Sequence, residues 1–237
     1  MILFYQPELS PTAPALPPDE SRHCVKVLRR QVGDSLTVVD GQGTYYEGII
    51  NHADPKRCAF DIGRSWSEPS RSYSIHIAIA PTKNLDRMEW LVEKAVEIGI
   101  DRFSFVQCDH SERRVIKLDR LLKKAIAAMK QSGRATLPTI DELQSFEQFV
   151  TRPPTTESQQ RLIAYVDSAN PTHLAQAALP GVSYEVLVGP EGGFSEREIT
   201  QAKEQHYRVV SLGAYRLRTE TAGLVVCTTL QTINALA

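Results

Sequence analysis

The sequence lacks any apolar run near the roughly 20 residues that cross a bilayer as a helix, so a helical membrane protein is not expected. Its amino terminus, MILFYQPELSPTAPALPP, has neither a basic region nor a long apolar stretch, and no signal peptide is expected. Cysteine is sparse. Cys24, Cys58, Cys108 and Cys227 lie 34, 50 and 119 positions apart, which is neither a CxxC pair nor a disulfide framework; reduced thiols and a cytoplasmic setting are the expectation. Several catalytic signatures are missing: HExxH, zinc-spaced Cys–His clusters, GxSxG and GxxxxGK[ST]. No metal is expected. A net charge of −1 argues against a general nucleic-acid coat. What is present is ordinary: 42% hydrophobic and 23% charged residues exclude global disorder. A chain of 237 residues suits a small domain plus a larger one, and buries enough surface to need no staple.

Charge placement says more than its total. Residues 21–30, SRHCVKVLRR, carry Arg22, Lys26, Arg29 and Arg30 with no acid, and His23 is the histidine placed to join them. Residues 110–134 carry eight basic residues against Glu112 and Asp119. On a helix Lys117, Arg120, Lys123 and Lys124 share one broad face. Such patches are what phosphates need, although either one alone is equally a solvated helix face.

The chain reads as two parts. GRSWSEPSRS (63–72) has linker composition. Before it, ILFY, SLTVVD, TYYEGII and RCAFDIG read as short strands, with a helical stretch at ESRHCVKVLR; this suggests a small barrel over 1–70. Gly41-Gln42-Gly43 imitates the start of a dinucleotide fingerprint, but a strand follows and no third glycine arrives, so it reads as a hairpin. Over 71–237 strands alternate with helices, which means α/β with a mostly parallel sheet. The strands are SIHIAIA, RFSFVQC, RLIAYVD (161–167), YEVLVG and YRVVSLG. The helices are DRMEWLVEKAVEIG with Asn84 as N-cap and Gly99 as stop, a basic one near 117–130, SEREITQAKEQH opened by a Ser195/Glu198 capping box, and the apolar TETAGLVVCTTLQTINAL. A loop is expected around LPTI.

Two strand-to-helix junctions carry the chemistry. In the first, Val188-Gly189-Pro190-Glu191-Gly192-Gly193, a strand enters a glycine-rich bend where backbone groups can approach a ligand. Taken by itself it is as readily a tight turn before a helix. In the second, Ser211-Leu212-Gly213-Ala214-Tyr215-Arg216-Leu217-Arg218-Thr219-Glu220-Thr221-Ala222, the helix dipole explains Glu220 but not Arg218. A cation set against that field points to a ligand or anion.

GPEGGF with SLGAYRLRTETA resembles the paired cofactor-loop signatures of the RsmE family, 16S ribosomal RNA uridine-N3 methyltransferases of the SPOUT superfamily. HCVKVLR, K-N-x-x-R-M-E-W-x-x-E-K-A-V-E-I-G, and the spacing of Gln131, Arg134 and Pro138 are similar to further motifs of that family, so the resemblance covers nearly the whole chain. It departs at Tyr215, where members carry arginine, and at Arg216, where they carry an aliphatic residue. The resemblance implies a SPOUT-type trefoil-knotted α/β methyltransferase domain, a PUA-like amino-terminal β-barrel, and a homodimer acting on small-subunit rRNA. It implies S-adenosylmethionine as cofactor, held by Val188, Gly189, Pro190, Gly192, Gly193, Leu212, Gly213, Leu217, Thr219, Thr221 and Ala222. Arg218 and Glu191 become the catalytic candidates. Arg22, His23, Lys26, Arg29, Arg30, Lys83, Arg87, Arg113, Lys123 and Arg134 become the RNA-binding candidates. A non-catalytic ribosome-binding factor, and a methyltransferase of the same superfamily acting on another RNA position, are the competing readings.

Overall fold

The computed structural model describes residues 2–166 and 172–237. Its contacts divide the chain into two compact units, one comprising residues up to Ser70 with Ile126–Leu137, the other Arg71–Ala125 with Pro138–Ala237. Among the described residues no helix is long and apolar enough to cross a membrane.

The first unit is built on a four-stranded sheet in the order β1-β2-β3-β4 (Leu3–Tyr5, Ser35–Val39, Thr44–His52, Ala59–Ser67). β1 runs parallel to β2 and the remaining pairs are antiparallel, with irregularities at Glu47/Gly48 and Ile50/His52 that bend the long β3–β4 ribbon. Alternate side chains point inward: Phe4, Leu36, Val38, Ile50 and Phe60 meet Leu16, Cys24 and Cys58 in one core. Helix α1 (Pro18–Arg22) runs on into a π-helical turn, His23–Val27. Gly41–Gly43 is the expected hairpin between β2 and β3.

The expected linker is partly strand. Tyr45, Tyr46 and Glu47 of β3 need partners, and Trp66, Ser65 and Arg64 supply them, with Trp66 stacked on Tyr45 at 5.2 Å. Residues 126–137 are held by the same unit: the Tyr45 hydroxyl donates to Gly133 O at 2.7 Å, Gly43 N–H to Ala135 O at 3.2 Å, and the Thr136 hydroxyl to Glu68 at 2.7 Å.

The second unit is a six-stranded, all-parallel sheet in the order β10-β8-β9-β5-β6-β7. β5 is Ile75–Ile79, β6 Arg102–Gln107, β7 Thr139–Ser145, β8 Gln160–Ala164, β9 Tyr184–Val188 and β10 Arg208–Val210. β5 and β9 are buried at every position, which is why they read as apolar runs broken only by His76 and Glu185 rather than as alternating strands. The last residue of the expected RLIAYVD strand, Asp167, lies outside the described residues.

Helix α2 (Leu85–Ile98) follows its apolar stripe, with Asn84 Oδ1 accepting from Asp86 N–H at 2.9 Å and Gly99 ending it. Helix α3 is Leu118–Ser132, and α6 (Glu196–Glu204) opens with the predicted Ser195/Glu198 capping box. Helix α7 (Thr219–Ala235) packs on α2 and β5. Three elements were not anticipated: β7, α4 (Phe146–Val150) and α5 (Leu174–Ala177).

A row of charge crosses one face of this sheet near the beginning of its strands. Arg161, Glu185 and His76 are in register on β8, β9 and β5. Glu185, 3% exposed, accepts from the Tyr207 hydroxyl and lies 3.3 Å from Arg161 Nε, 3.5 Å from Arg152 Nη2 and 3.3 Å from His76 Nδ1. His76 Nε2 meets Ser104 Oγ at 2.8 Å; Ser104 donates in turn to Asp141, which Arg102 grips at 2.8 and 3.0 Å. Burial pushes the Glu185 carboxyl up, but the His76 and Tyr207 hydrogen bonds and the Arg161 charge outweigh it and hold it below its ordinary value.

Candidate active site

The order of the sheet reverses between β5 and β9: β6 and β7 extend to one side, β8 and β10 to the other. In open α/β sheets a ligand crevice forms outside the carboxyl ends of the strands at such a reversal. Here a cavity of about 400 Å³ opens at this carboxyl edge, on the β8–β10 side of the reversal. It is lined by the bend after β9, the bend after β10, and the end of β8.

The two bends are tied to each other. The Thr219 hydroxyl, at the start of α7, donates to Gly189 O at 3.1 Å. The first bend is also fixed from the exit of β6: His110 Nδ1 donates to Gly193 O at 3.1 Å, and the Ser195 hydroxyl donates to Asp109 at 2.6 Å. Asp109 N–H donates to Glu198 at 2.9 Å, and Arg197 pairs with Asp109 at 2.8 Å. The hydrogen bond from Ser195 and the ion pair with Arg197 hold the Asp109 carboxyl below its ordinary value.

Two glycines are dictated by this construction. A Cβ on Gly192 would sit 2.9 Å from His110 Cβ, so only a bare backbone lets the latch close. Gly213 has φ of +132°, a conformation that side-chain-bearing residues avoid, and its missing side chain leaves open space on the cavity wall.

Of the cofactor-contact candidates, Val188, Gly189, Pro190, Gly192, Gly193, Leu212, Gly213, Leu217, Thr219 and Ala222 all line this cavity, together with Glu191. Thr221 does not; it lies in a shallow neighbouring depression with Arg218, Glu220, Asp86, Arg87 and Trp90. Ala164, Tyr165, Val166, Phe194, Tyr215 and Arg216 also line the cavity. Glu191 is exposed, and its carboxylate accepts from Lys83 N–H at 3.3 Å. Arg218 is exposed at the N-cap of α7 and makes no side-chain ion pair among the described residues.

The basic candidates separate by what they touch. In the first unit Arg22, Lys26 and Arg29 are exposed, whereas His23 and Arg30 are half-buried; the His23 ring tilts against Phe4 at 6.1 Å. Arg134 is 12% exposed and 3.9 Å from Glu68. In the second unit Arg113 is spent on the backbone, donating to Thr82 O at 3.0 Å and to Lys83 O. Lys83 pairs with Glu112 at 2.9 Å, and Arg87 lies 3.7 Å from Glu220. The broad basic face of α3 is divided: Arg120 pairs with Glu89 at 2.6 Å and Lys124 lies 3.7 Å from Glu93, both acids of α2. Lys117 and Lys123 stay exposed and unpaired among the described residues. Exposed basic surface is therefore smaller than the charge count suggested.

The cavity fits an adenosyl sulfonium compound. Its lining offers bare peptide groups at both bends and apolar walls from Val188, Leu212, Leu217 and Phe194, next to the exposed carboxylate of Glu191. All four cysteines are buried, and among the described residues none forms a disulfide.

The comparisons agree with this geometry. A family model described as an RNA methyltransferase domain matches residues 69–231, and one described as an RNA methyltransferase PUA domain matches residues 16–63. The ribosomal RNA small subunit methyltransferase E of Synechocystis sp. is 30% identical over 220 residues, covering 89% of this chain and 69% of that protein. That of Bacillus subtilis is 28% identical, covering 87% and 84%. A crystal structure of a probable rRNA-methyltransferase from Porphyromonas gingivalis superposes with a TM-score of 0.91 at 42% identity, covering 100% of this chain and 99% of the other. The Neisseria gonorrhoeae ribosomal RNA small subunit methyltransferase E bound to S-adenosyl methionine gives 0.86 at 28%, covering 99% and 98%. With an all-parallel sheet, a PUA-type amino-terminal unit and two joined glycine bends at the sheet edge, the chain belongs to the RNA methyltransferases, in the ribosomal RNA small subunit methyltransferase E family.

Proposed function

We propose that the protein methylates N3 of a uridine in the 16S rRNA of the small ribosomal subunit, using S-adenosylmethionine, and that it works as a cytoplasmic homodimer. The observation that carries this reading is the Thr219–Gly189 hydrogen bond, which joins the two bends around one cavity. S-adenosylmethionine, when bound, supplies an electrophilic methyl group on its sulfonium.

The residues of the chain do the rest. Val188 to Gly193 and Leu212, Gly213, Leu217, Thr219 and Ala222 hold the donor through backbone groups and apolar contact; Thr221 faces the adjoining depression instead. The carboxylate of Glu191 anchors the loop after β5 to the donor-binding bend through Lys83 N–H. Holding donor and acceptor in line contributes up to roughly 7–11 kcal/mol of the barrier. The target base must be unpaired to present N3, since that atom lies on its pairing edge. Negative charge that spreads to O2 and O4 as N3 loses its proton is met by Arg218, a cation at the mouth of the α7 turn with no ion-pair partner among the described residues. Arg22, His23, Lys26, Arg29, Arg30 and Arg134 in the first unit, and Lys83, Arg87, Arg113 and Lys123 in the second, are the RNA contacts proposed. Lys123 and the exposed arginines of the first unit are the freest to engage phosphate.

The test uses small subunits from cells lacking the gene. Purified protein should restore one N3-methyluridine, read by mass spectrometry of digested rRNA. Arg218→Ala should lower turnover about a hundredfold or more, the scale of a lost oxyanion donor, with donor affinity little changed; near-normal turnover would remove Arg218 from the mechanism. Glu191→Gln should weaken donor binding in calorimetry more than it lowers turnover.

A further inference from the structure

Beside the donor cavity lies the depression formed by Asp86, Arg87 and Trp90 of α2 and by Arg218, Glu220 and Thr221 of α7. Two of its groups are unusual. Trp90 is 43% exposed on a helix whose Leu85, Met88, Leu91 and Val92 are all buried. Glu220 is the reverse: a carboxylate only 7% exposed. Its Oε1 lies 3.7 Å from Arg87 Nε, while its Oε2 is buried and has no hydrogen-bond partner among the described residues. The α7 dipole accounts for an acid at this position but not for leaving half of it unpaired. The other charged groups around it are Asp86, Arg87 and Arg218; Arg120, close by on α3, is committed to Glu89 and Asp86. Thr219, between Arg218 and Glu220, lines the donor cavity, so one helical turn serves both spaces.

We infer that this depression receives the target base, that Trp90 is its stacking surface, and that Glu220 is the catalytic residue that takes the ring N–H proton. The inference rests on the uridine-N3 reading above. Uracil presents a donor, N3–H, between two carbonyl acceptors; the depression is lined by the Glu220 carboxylate together with two guanidinium groups, Arg87 and Arg218. The patterns are complementary. As the N3–C bond forms and the C–S bond breaks with its electron pair going to sulfur, the N3 proton passes to Glu220 Oε2, and the resulting acid returns it to solvent. The methylated base has no N–H left for Oε2, which favours its release.

The chain has only two tryptophans, Trp66 and Trp90, so Trp66→Phe leaves Trp90 as sole reporter without needing the methyl donor. Hexauridylate should quench its fluorescence. Hexa(N3-methyluridylate) should bind at least about fivefold more weakly, and Glu220→Leu in the same background, which removes the acceptor, should abolish that preference. On small subunits Glu220→Gln should lower kcat about a hundredfold or more with KM within threefold, and its rate should climb with pH as hydroxide replaces the missing base. Trp90→Ala should raise KM about tenfold, with Trp90→Phe near wild type because the smaller ring still stacks. Unquenched Trp90, equal affinity for the two oligonucleotides, or a Glu220→Gln enzyme with normal kcat would overturn the inference. So would a Trp90→Ala protein that sediments as a smaller species while its affinity for hexauridylate is unchanged, since the ring would then belong to a contact with a second copy of the chain. If the wild-type protein forms no N3-methyluridine, the uridine reading has failed; if it does and Glu220→Gln is indifferent, only this inference has.

Discussion

One sheet carries two polar regions with opposite economies. Near the start of its strands, Glu185, Arg161, Arg152, His76, Ser104, Asp141 and Arg102 are turned toward one another. At the carboxyl edge, among the described residues, Arg218 is unpaired and Glu220 half-paired, while Gly213 faces open space and the bends offer bare peptide groups. Charge consumed by neighbouring charge maintains the fold; charge left without a neighbour is available to a ligand. Proximity of ionisable residues alone would have picked the wrong end of the sheet.

The largest effect that tests this contrast is expected at Glu185. Removing it as Glu185→Ala leaves the buried Arg161 side chain uncompensated, with the half-buried Arg152 beside it, and should cost about 3–5 kcal/mol in denaturant unfolding, without changing donor affinity in the folded fraction. Because its folded pKa is lowered, Glu185 contributes stability above its unfolded value near 4.3, and that contribution disappears as pH falls through the folded value. Wild-type unfolding free energy should therefore drop on acidification below about pH 4.3, more steeply than that of Glu185→Gln. A Glu185→Ala protein that lost donor binding but kept its stability would reverse the assignment of the two regions.

The next effect belongs to the other end. Gly213→Val forces a β-branched residue into φ of +132°, at about 1–3 kcal/mol, and should weaken donor binding roughly ten- to a hundredfold in calorimetry as the bend relaxes. Thr219→Val removes the hydrogen bond between the bends and should cost about 1 kcal/mol, near a fivefold loss of donor affinity, with a melting temperature close to wild type. The smallest effect separates paired from unpaired cations on α3. Lys123→Glu should lower the slope of log affinity for rRNA against log salt by about 1, whereas Lys124→Glu, already 3.7 Å from Glu93, should change it less.

Most of the second unit was legible because its signals are local. The stripe of α2, the caps at Asn84 and Ser195, and the largely apolar, fully buried runs of β5 and β9 each follow from the physics of their own neighbourhood. β7 escaped because TIDELQS is an edge strand with half-exposed residues and no apolar alternation; its partner β6, not its composition, makes it a strand. The linker was placed too early for the same reason, since Arg64 to Trp66 are recruited by β3 across the hairpin.

At the site, both glycine bends were readable from spacing. Tyr165 and His110 were not, because nothing in their own segments announces that β8 adjoins β9 or that the exit of β6 closes over Gly192. The basic face of α3 was overestimated because helical periodicity places Arg120 and Lys124 correctly but cannot supply the acids of α2 that meet them.

The position of β9 has a consequence for how the molecule comes into being. Ile75 of β5 has Tyr184 as its neighbour on one side, so the middle of the sheet stays open until more than a hundred further residues have left the ribosome. At typical synthesis rates of about 5–20 residues per second, a nascent chain waits some seconds with two apolar strand edges uncovered and the donor-binding bends not yet made. An enzyme of ribosome maturation thus spends its own first moments as an incomplete sheet beside the machine it serves.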